Sequence, residues 1–141
     1  MIDIETAVYT RVRDEVRSVC PQATVSGIYT ESPSSFPFVS FVEASNSVYN
    51  ESQTLGSIEN HASVMYQADI YSNETATAKS TCKWIANAID EVMVSLGFVR
   101  STLMQTPNVD RSIYRITARY EGVVSKGIQV GDNIQYSIYS S

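Results

Sequence analysis

The residues of this chain whose spacing best suits a binding site are three arginines that repeat every four residues. They are Arg111, Arg115 and Arg119. Side chains alternate between the two faces of a β-strand, so this pattern predicts that all three lie on one face of the same strand. Three guanidinium groups in a row can bind phosphates, pair with carboxylates of another subunit, or lie solvated at the surface. The net charge of −5 weighs against nucleic acid, so a subunit interface and a solvated face both stay open.

The remaining reactive side chains do not form a catalytic or metal-binding set. His61 is the only histidine, and the chain contains no Gly-x-Ser-x-Gly motif to supply a nucleophile. A metal site needs three or four converging ligands, whereas His61, Cys20 and Cys82 are far apart in sequence. Cys82 also falls on an apolar helix face, where a buried and inert thiol is usual. The sequence therefore predicts no catalytic residues, no metal and no cofactor.

Length and composition are typical of an ordinary globular domain. The chain has 141 residues, of which 43% are hydrophobic and 18% charged, enough to bury one core but too few for two domains. No apolar run approaches the roughly 20 residues that span a bilayer, and the acidic N-terminus does not have the pattern of a secretory signal. We therefore expect a single domain over residues 1–141, with reduced thiols and no contact with a membrane.

Charge is unevenly distributed along the chain. From Ser18 to Ala78 there are six carboxylates and no Lys or Arg, whereas from Lys79 onward seven basic residues outnumber five acidic ones. A folded chain can place the two groups on opposite faces of one molecule. Alternatively, an acidic face of one copy meets a basic face of the next, which is the head-to-tail arrangement that closes rings.

Hydrophobic periodicity predicts the elements that position these residues. A first amphipathic helix is predicted from about Asp3, its N-cap, to Val19, and a second from Glu74 to Leu96. Ser72-Asn73 is predicted to cap the second helix and Gly97 to end it. Strands are predicted at 24–30, 38–44, 62–71, 98–105 and 112–124, followed by a β tail of two short strands bounded by turns at 125–127 and 131–133.

This order, α-β-β-β-α-β-β-β with the tail as the last β element, predicts an α+β fold. Strands segregated from two helices favour a mixed or antiparallel sheet with both helices packed on one face. On the third strand the apolar residues alternate, so one face is predicted to be buried. The members of that face are Ala62, Val64, Tyr66, Ala68 and Ile70.

Residues 45–60 form a long polar stretch that predicts an extended hairpin or a flexible arm, because structureless loops of this length are usually functional or mobile. Aromatic residues and arginine are enriched at protein contacts, although core or edge packing is the alternative for any tyrosine. Besides the three arginines, the candidate residues for a subunit or partner interface are Tyr49, Asn50, Glu51, Leu55, Glu59, Tyr136 and Tyr139.

An ordered set of features runs through much of the chain and suggests a family. It comprises the N-terminal helix, Phe36-Pro37-Phe38-Val39 entering a strand, Asp69-Ile70-Tyr71-Ser72-Asn73 before the second helix, Gly97-Phe98 after it, and Tyr114-Arg115-Ile116 with Arg119-Tyr120-Glu121-Gly122 in the long strand. In this order the features resemble the tail terminator (tail completion) proteins of long-tailed bacteriophages and their prophages.

The resemblance implies a virion structural protein rather than an enzyme. Copies of the chain would form a ring, expected to be a hexamer, on the end of the tail tube, stop tube polymerisation and present the other face to the head connector. The implied partners are other copies, the tail tube protein and the connector, while DNA passes through the ring without being recognised. The implied location is the virion tail or neck, and the host cytoplasm during assembly.

Two alternatives accompany this reading. A head completion or head–tail adaptor protein of the neck uses similar small subunits. A small ligand-binding α+β domain belongs to another class, and a concave pocket with converging polar groups would favour it.

Overall fold

A computed structural model describes residues 3–30, 32–48, 61–108, 110–130 and 133–139. The predicted α+β class, with two helices and a mixed sheet, is confirmed. The elements are α1 (Glu5–Val19), β1 (Thr24–Ser26), β2 (Phe38–Val48), β3 (His61–Ser72), α2 (Ala78–Leu96), β4 (Val99–Gln105), β5 (Tyr114–Val130) and β6 (Asn133–Tyr139). None of the described helices is long and apolar enough to cross a bilayer.

The strands form one sheet in the order β1-β2-β3-β5-β4, in which only the β1–β2 pair is parallel. Strand β6 also pairs with β5, antiparallel. Ser125 of β5 has His61 of β3 as one neighbour and Ser137 of β6 as the other, so β6 lies on the side of β5 opposite β3. Strands β4 and β6 therefore share one side of β5, which pairs with three strands.

Both helices pack on the same face of the sheet, as predicted. On α1, apolar residues spaced four apart form a single buried stripe. The buried stripe of α2 is wider. The stripes meet the alternating residues of β3, and the predicted buried face of that strand is confirmed. The main helix residues in this core are Val8, Val12 and Val16 of α1 and Cys82, Ile85, Ile89 and Met93 of α2.

Both helices begin later than predicted. Helix α1 starts after an N-cap at Ile4, although Asp3 Oδ1 still accepts the N–H of Glu5 at 3.2 Å. Helix α2 has its N-cap at Thr77, so the prediction that Ser72-Asn73 caps it is wrong. Ser72 is instead the last residue of β3, where it pairs with β5. Strand pairing outweighs the local capping signal at this position.

Three strand boundaries also differ from the prediction. Strand β2 continues to Val48, past a bulge between Glu43 and Ser45, because it pairs with β3 along its whole length. The predicted turn at 125–127 is wrong, since β5 runs through it and pairs with β6 on both sides of a bulge between Lys126 and Gln129. Strand β1 has only three residues. Of the predicted arm, residues 45–48 are strand and 49–60 lie outside the described residues.

Two glycines allow β6 and Phe98 to approach the end of α2. Gly97 ends the helix with φ of 107°, as predicted, and the N–H of Phe98 returns to the carbonyl of Met93 at 3.0 Å. A Cβ atom at Gly97 would lie 2.3 Å from the Ile138 carbonyl oxygen. A Cβ atom at Gly122 would lie 2.8 Å from the Phe98 ring. This junction therefore requires residues without side chains.

Gly97→Ala tests the junction. We expect a loss of about 2 kcal/mol or more in the free energy of unfolding, because alanine is strained at positive φ and its Cβ atom overlaps the backbone of β6. Urea unfolding followed by circular dichroism measures it. Gly27→Ala is the matched control, since its Cβ atom would meet only the Tyr9 ring at 3.5 Å. Equal stability of the two variants would contradict this account.

Candidate functional site

The sheet face opposite the helices contains a buried carboxylate, Asp69. Its sequence neighbours Ala68 and Ile70 point into the core, so alternation turns Asp69 to the other face, where it is nevertheless 0% exposed. Its Oδ1 accepts hydrogen bonds from Arg115 Nη2 at 2.8 Å, Arg115 Nε at 3.1 Å and Thr117 Oγ1 at 2.6 Å. Its Oδ2 accepts one from Gln67 Nε2 at 2.9 Å. Four donors thus compensate for the loss of water.

Arg115 is fixed on three sides. Its guanidinium group lies 5.3 Å from the centre of the Tyr71 ring, and Nη2 is 3.5 Å from Tyr29 Oη. Its side chain is only 14% exposed. Burial lowers the pKa of Arg115, but the hydrogen bonds and charge of Asp69 outweigh this and leave it above its ordinary value. Arg115 therefore keeps its charge.

Two loops cover this end of the sheet face, which explains the burial without a helix. The first loop follows β1 and crosses the face of β2 and β3 opposite the helices. There Ser40 Oγ donates to the Ile28 carbonyl at 3.1 Å, and Tyr71 Oη donates to the Thr30 carbonyl at 2.9 Å. The second approaches from β4, and Thr106 shares a hydrogen bond with Thr117. Both loops therefore contact the network around Asp69.

An open cleft of about 430 Å³ lies where these loops meet. Two prolines and two larger apolar side chains contribute its walls, and Arg115 is its only cation. The lining residues are Tyr29, Ser32, Pro33, Pro107, Asn108, Asp110, Ile113 and Arg115. Asp110 accepts both the hydroxyl and the N–H of Ser112, and these hydrogen bonds lower its pKa. The Asp69 carboxylate already offsets the charge of the arginine in this cleft.

The structure separates the three arginines singled out by their spacing. Strand β5 begins at Tyr114, so Arg111 lies in the preceding turn, and the prediction that all three share one strand face is wrong for it. Arg115 and Arg119 do share a face. Both are engaged within the chain, Arg115 by Asp69 and Arg119 by the side-chain oxygen of Gln67 at 3.1 Å.

The other candidate interface residues lie either in β6 or outside the described residues. Tyr136 and Tyr139 belong to β6, where they pair with Lys126 and Val123 of β5. The rest lie outside the described residues, namely Tyr49, Asn50, Glu51, Leu55 and Glu59.

Chemistry by metal or thiol finds little support in the described residues. They contain no group of three or more His, Cys, Asp or Glu side chains able to hold a metal ion. Burial, reinforced by the charge of Glu74, raises the pKa of Cys82 to about 12. Its thiol therefore stays protonated at neutral pH and is a poor nucleophile.

One edge of the sheet exposes apolar side chains, and we call it the β4 edge surface, made of Val94, Val99, Leu103 and Met104. Their exposed fractions are 56%, 50%, 43% and 53%. Register places Leu103 opposite the core residue Ala118, on the helix side of the sheet, and Met104 opposite Thr117 on the other side. Val94 follows Asp90 of α2 by one helical turn. Asp90 accepts from Arg100 of β4 at 3.3 Å, which places this flank of the helix above β4.

The two halves of the charge pattern lie in the two lateral halves of the sheet. We call these halves its two sides, which are distinct from its two faces. The first side, formed by α1 and β1–β3, has six carboxylates against three arginines among the described residues 3–72. The second side, formed by α2 with the segment before it, β4 and β5, has seven cations against five carboxylates among the described residues 73–130. Their formal charges are therefore −3 and +2, or −2 and +1 when Asp69 and Arg115, which neutralise each other across the β3–β5 boundary, are left out. The two sides of one molecule thus have formal charges of opposite sign.

Sequence reasoning missed both the Asp69–Arg115 pair and the β4 edge surface. A signal for the pair was present, since Asp69 and Arg115 each lie on the polar face of a strand whose other face is apolar. Pairing them required the register between β3 and β5. The edge surface had no local signal, because Val99, Leu103 and Met104 would suit a central strand equally well.

Compared with known proteins, the sequence matches no family model and no curated protein.

A second carboxylate, Glu43, lies on the helix side of β2. Its Oε1 accepts hydrogen bonds from Tyr66 Oη and Asn46 Nδ2, both at 3.3 Å. Glu5 of α1 is close, because its carboxylate accepts the backbone N–H of Glu43 at 3.2 Å. Partial burial, followed by the charge of Glu5, raises the pKa of Glu43. Ionised Glu43 is therefore less favourable in the fold than in the unfolded chain.

Asp69→Asn should lower the free energy of unfolding by about 2–4 kcal/mol, because it leaves the Arg115 charge buried without a counter-charge and sets an amide N–H₂ against that of Gln67. Urea unfolding measures the loss. Asp90→Asn is the control, since Asp90 faces Arg100 at a half-exposed site and should cost about 1 kcal/mol or less. A smaller loss at Asp69 than at Asp90 would contradict the assigned network.

Glu43→Gln should stabilise the protein at pH 7 by less than about 1 kcal/mol, a limit set by solvent screening. A carboxylate whose pKa is raised by folding contributes stability below its unfolded pKa and loses it as pH rises through the folded pKa. The difference between variant and wild type should therefore vanish as the pH falls toward about 4. Thermal unfolding between these pH values measures it, and a gap that widens in acid would refute the assignment.

Proposed function

We propose that this protein is a tail terminator of a long-tailed phage or prophage. In this role, copies of the chain form a ring on the end of the tail tube, stop its polymerisation and provide the surface that joins the tail to the head. Other copies, the tail tube protein and the head connector are its partners. It works in the virion, after assembly in the host cytoplasm.

The observation that carries this proposal is the opposite charge of the two sides of the sheet. Head-to-tail association brings a side of one copy against the other side of the next, so every contact joins an excess of carboxylates to an excess of cations. Repeated contacts of this kind close into a ring when the rotation per subunit divides a full turn. The motifs that resemble the family support the same conclusion.

The action of a terminator ring is steric rather than catalytic, and the proposal therefore needs no reactive group. A ring bound to the tube end covers the surface to which the next tube subunit would add. Its affinity for the tube is multiplied because several subunits bind at once. The neighbouring role, a head completion or head–tail adaptor protein, uses the same self-association and differs only in the structure to which the ring binds.

The cleft beside Arg115 favours a second candidate from another class, a small ligand-binding domain. Its volume suits a small molecule. Arg115 is already paired with Asp69, however, and Asp110 adds a further negative charge, so the cleft offers little net attraction to an anion.

Light scattering and tube growth together test the proposal. Across a concentration series, alone and with tail tubes of the cognate phage, we expect a closed species of roughly six copies. Its formation should weaken as salt screens the charged sides. Added in the proportion of one ring per tube end, the protein should stop elongation of tubes from free tube subunits.

The alternatives have distinct outcomes in the same assay. Rings that leave tube growth unchanged but bind the head connector would transfer the protein to the adaptor role. A monomer at every concentration, with or without tube ends, would contradict both assembly roles. Bovine serum albumin at equal concentration serves as the control for non-specific effects on growth.

A further inference from the structure

We propose that the β4 edge surface binds a second copy of this chain, on the opposite α1–β1 side of that copy. The inference rests on the proposed function in taking the assembly to be head-to-tail. It adds the surface through which neighbouring copies meet, which neither the fold class nor the proposed function specifies.

Strand β4 has an open main-chain edge. Within the described part of the chain it pairs only with β5, so the N–H and C=O groups on its outer side have no strand partner. Every residue of β4 is exposed except Thr102, which is half-buried. Free strands of this kind are sites where another chain adds, unless charges or proline block them.

The charged residue of β4 does not block this edge. It is Arg100, and its side chain turns toward α2, where it pairs with Asp90 at 3.3 Å. A bulge at Ser101 bends the strand, and its hydroxyl donates to the Arg119 carbonyl at 3.3 Å. The outer edge from Thr102 to Gln105 is left without a charged side chain.

Exposed apolar residues concentrate at the same edge. Seven large hydrophobic side chains are exposed among the described residues, and four of them form the β4 edge surface. They lie on both sides of the strand, so a neighbouring chain placed against the edge would be contacted from the helix layer and from the open face. Such a cluster marks a protein contact rather than ordinary surface.

Charge decides between a symmetric and a head-to-tail contact. In a symmetric pair two β4 edges meet, which brings together two sides of positive formal charge. In a head-to-tail pair the β4 side meets the α1–β1 side, whose described residues have an excess of carboxylates. That side also offers an apolar contact, Ile28, which is 75% exposed beside the end of β1. Opposite charge and apolar area therefore both favour the head-to-tail pair.

Oxidative cross-linking tests the contact directly. Both native cysteines are buried, so Met104→Cys and Ile28→Cys introduce the accessible thiols. We expect a mixture of the two single variants to form cross-linked dimers, and the double variant to form a ladder that ends in a closed ring. Each single variant alone should stay uncross-linked. Met104→Cys that cross-links with itself as efficiently as with Ile28→Cys would overturn the inference in favour of a symmetric edge contact.

Trp84→Cys is the matched control for this experiment. Trp84 is 54% exposed on α2, but it lies six positions before Asp90 and hence about 120° around the helix from the flank that faces β4. Its mixture with Ile28→Cys should give no cross-linked dimer. Equal cross-linking by Trp84→Cys and Met104→Cys would show only random collision and would also overturn the inference.

A charge substitution provides a second readout that does not depend on thiol geometry. Leu103→Glu should weaken self-association at least tenfold in light scattering, whereas Trp84→Glu should leave it unchanged; circular dichroism confirms that both fold. Rings that form normally from Leu103→Glu would overturn the β4 contact and leave the terminator role standing. Wild-type protein that never associates, even on tube ends, would overturn both.

Discussion

A carboxylate removed completely from water is the constraint around which much of this structure is arranged. Asp69 is buried inside a sheet face that has no described helix over it, and a lone buried charge would cost on the order of several kcal/mol. Strand β5 therefore supplies Arg115 and Thr117, β3 supplies Gln67, and two loops close over the group. The register between β3 and β5 brings Arg115 and Thr117 to this side chain, and the loops after β1 and β4 contact the same network.

The same arrangement divides the open sheet face into two parts with different properties. One end is covered by loops and held by hydrogen bonds, which makes it a support rather than a binding surface. The other end and the β4 edge are uncovered, and there exposed apolar side chains lie beside the exposed charges of Arg119 and Glu121. Of the residues that form the β4 edge surface, Val94 is the one that comes from a helix. The hydrogen-bonded network and the exposed apolar side chains are thus located in separate parts of one sheet.

Sequence reasoning succeeded where the determining interactions are local. The stripe of α2, the alternation of β3 and the stop at Gly97 each follow from periodicity or from one backbone angle, and the structure has all three. It failed where distant segments compete. Residues 125–127 have the composition of a turn but belong to β5, where Ser125 and Lys126 pair with β6. Ser72 has the composition of a cap but pairs with β5. The Asp69–Arg115 pair and the edge position of β4 depend on topology, which no local pattern contains.

The length of β5 has a mechanical consequence. Its 17 residues extend for roughly 55 Å. On one side it pairs with β3 from Tyr114 to Ser125, and on the other with β4 and then β6. A pull along this strand acts parallel to its neighbours, so it loads the cross-strand hydrogen bonds in shear, many at once, instead of opening them one after another. The sheet is therefore stiffest along β5, in the direction that connects the two ends of the molecule.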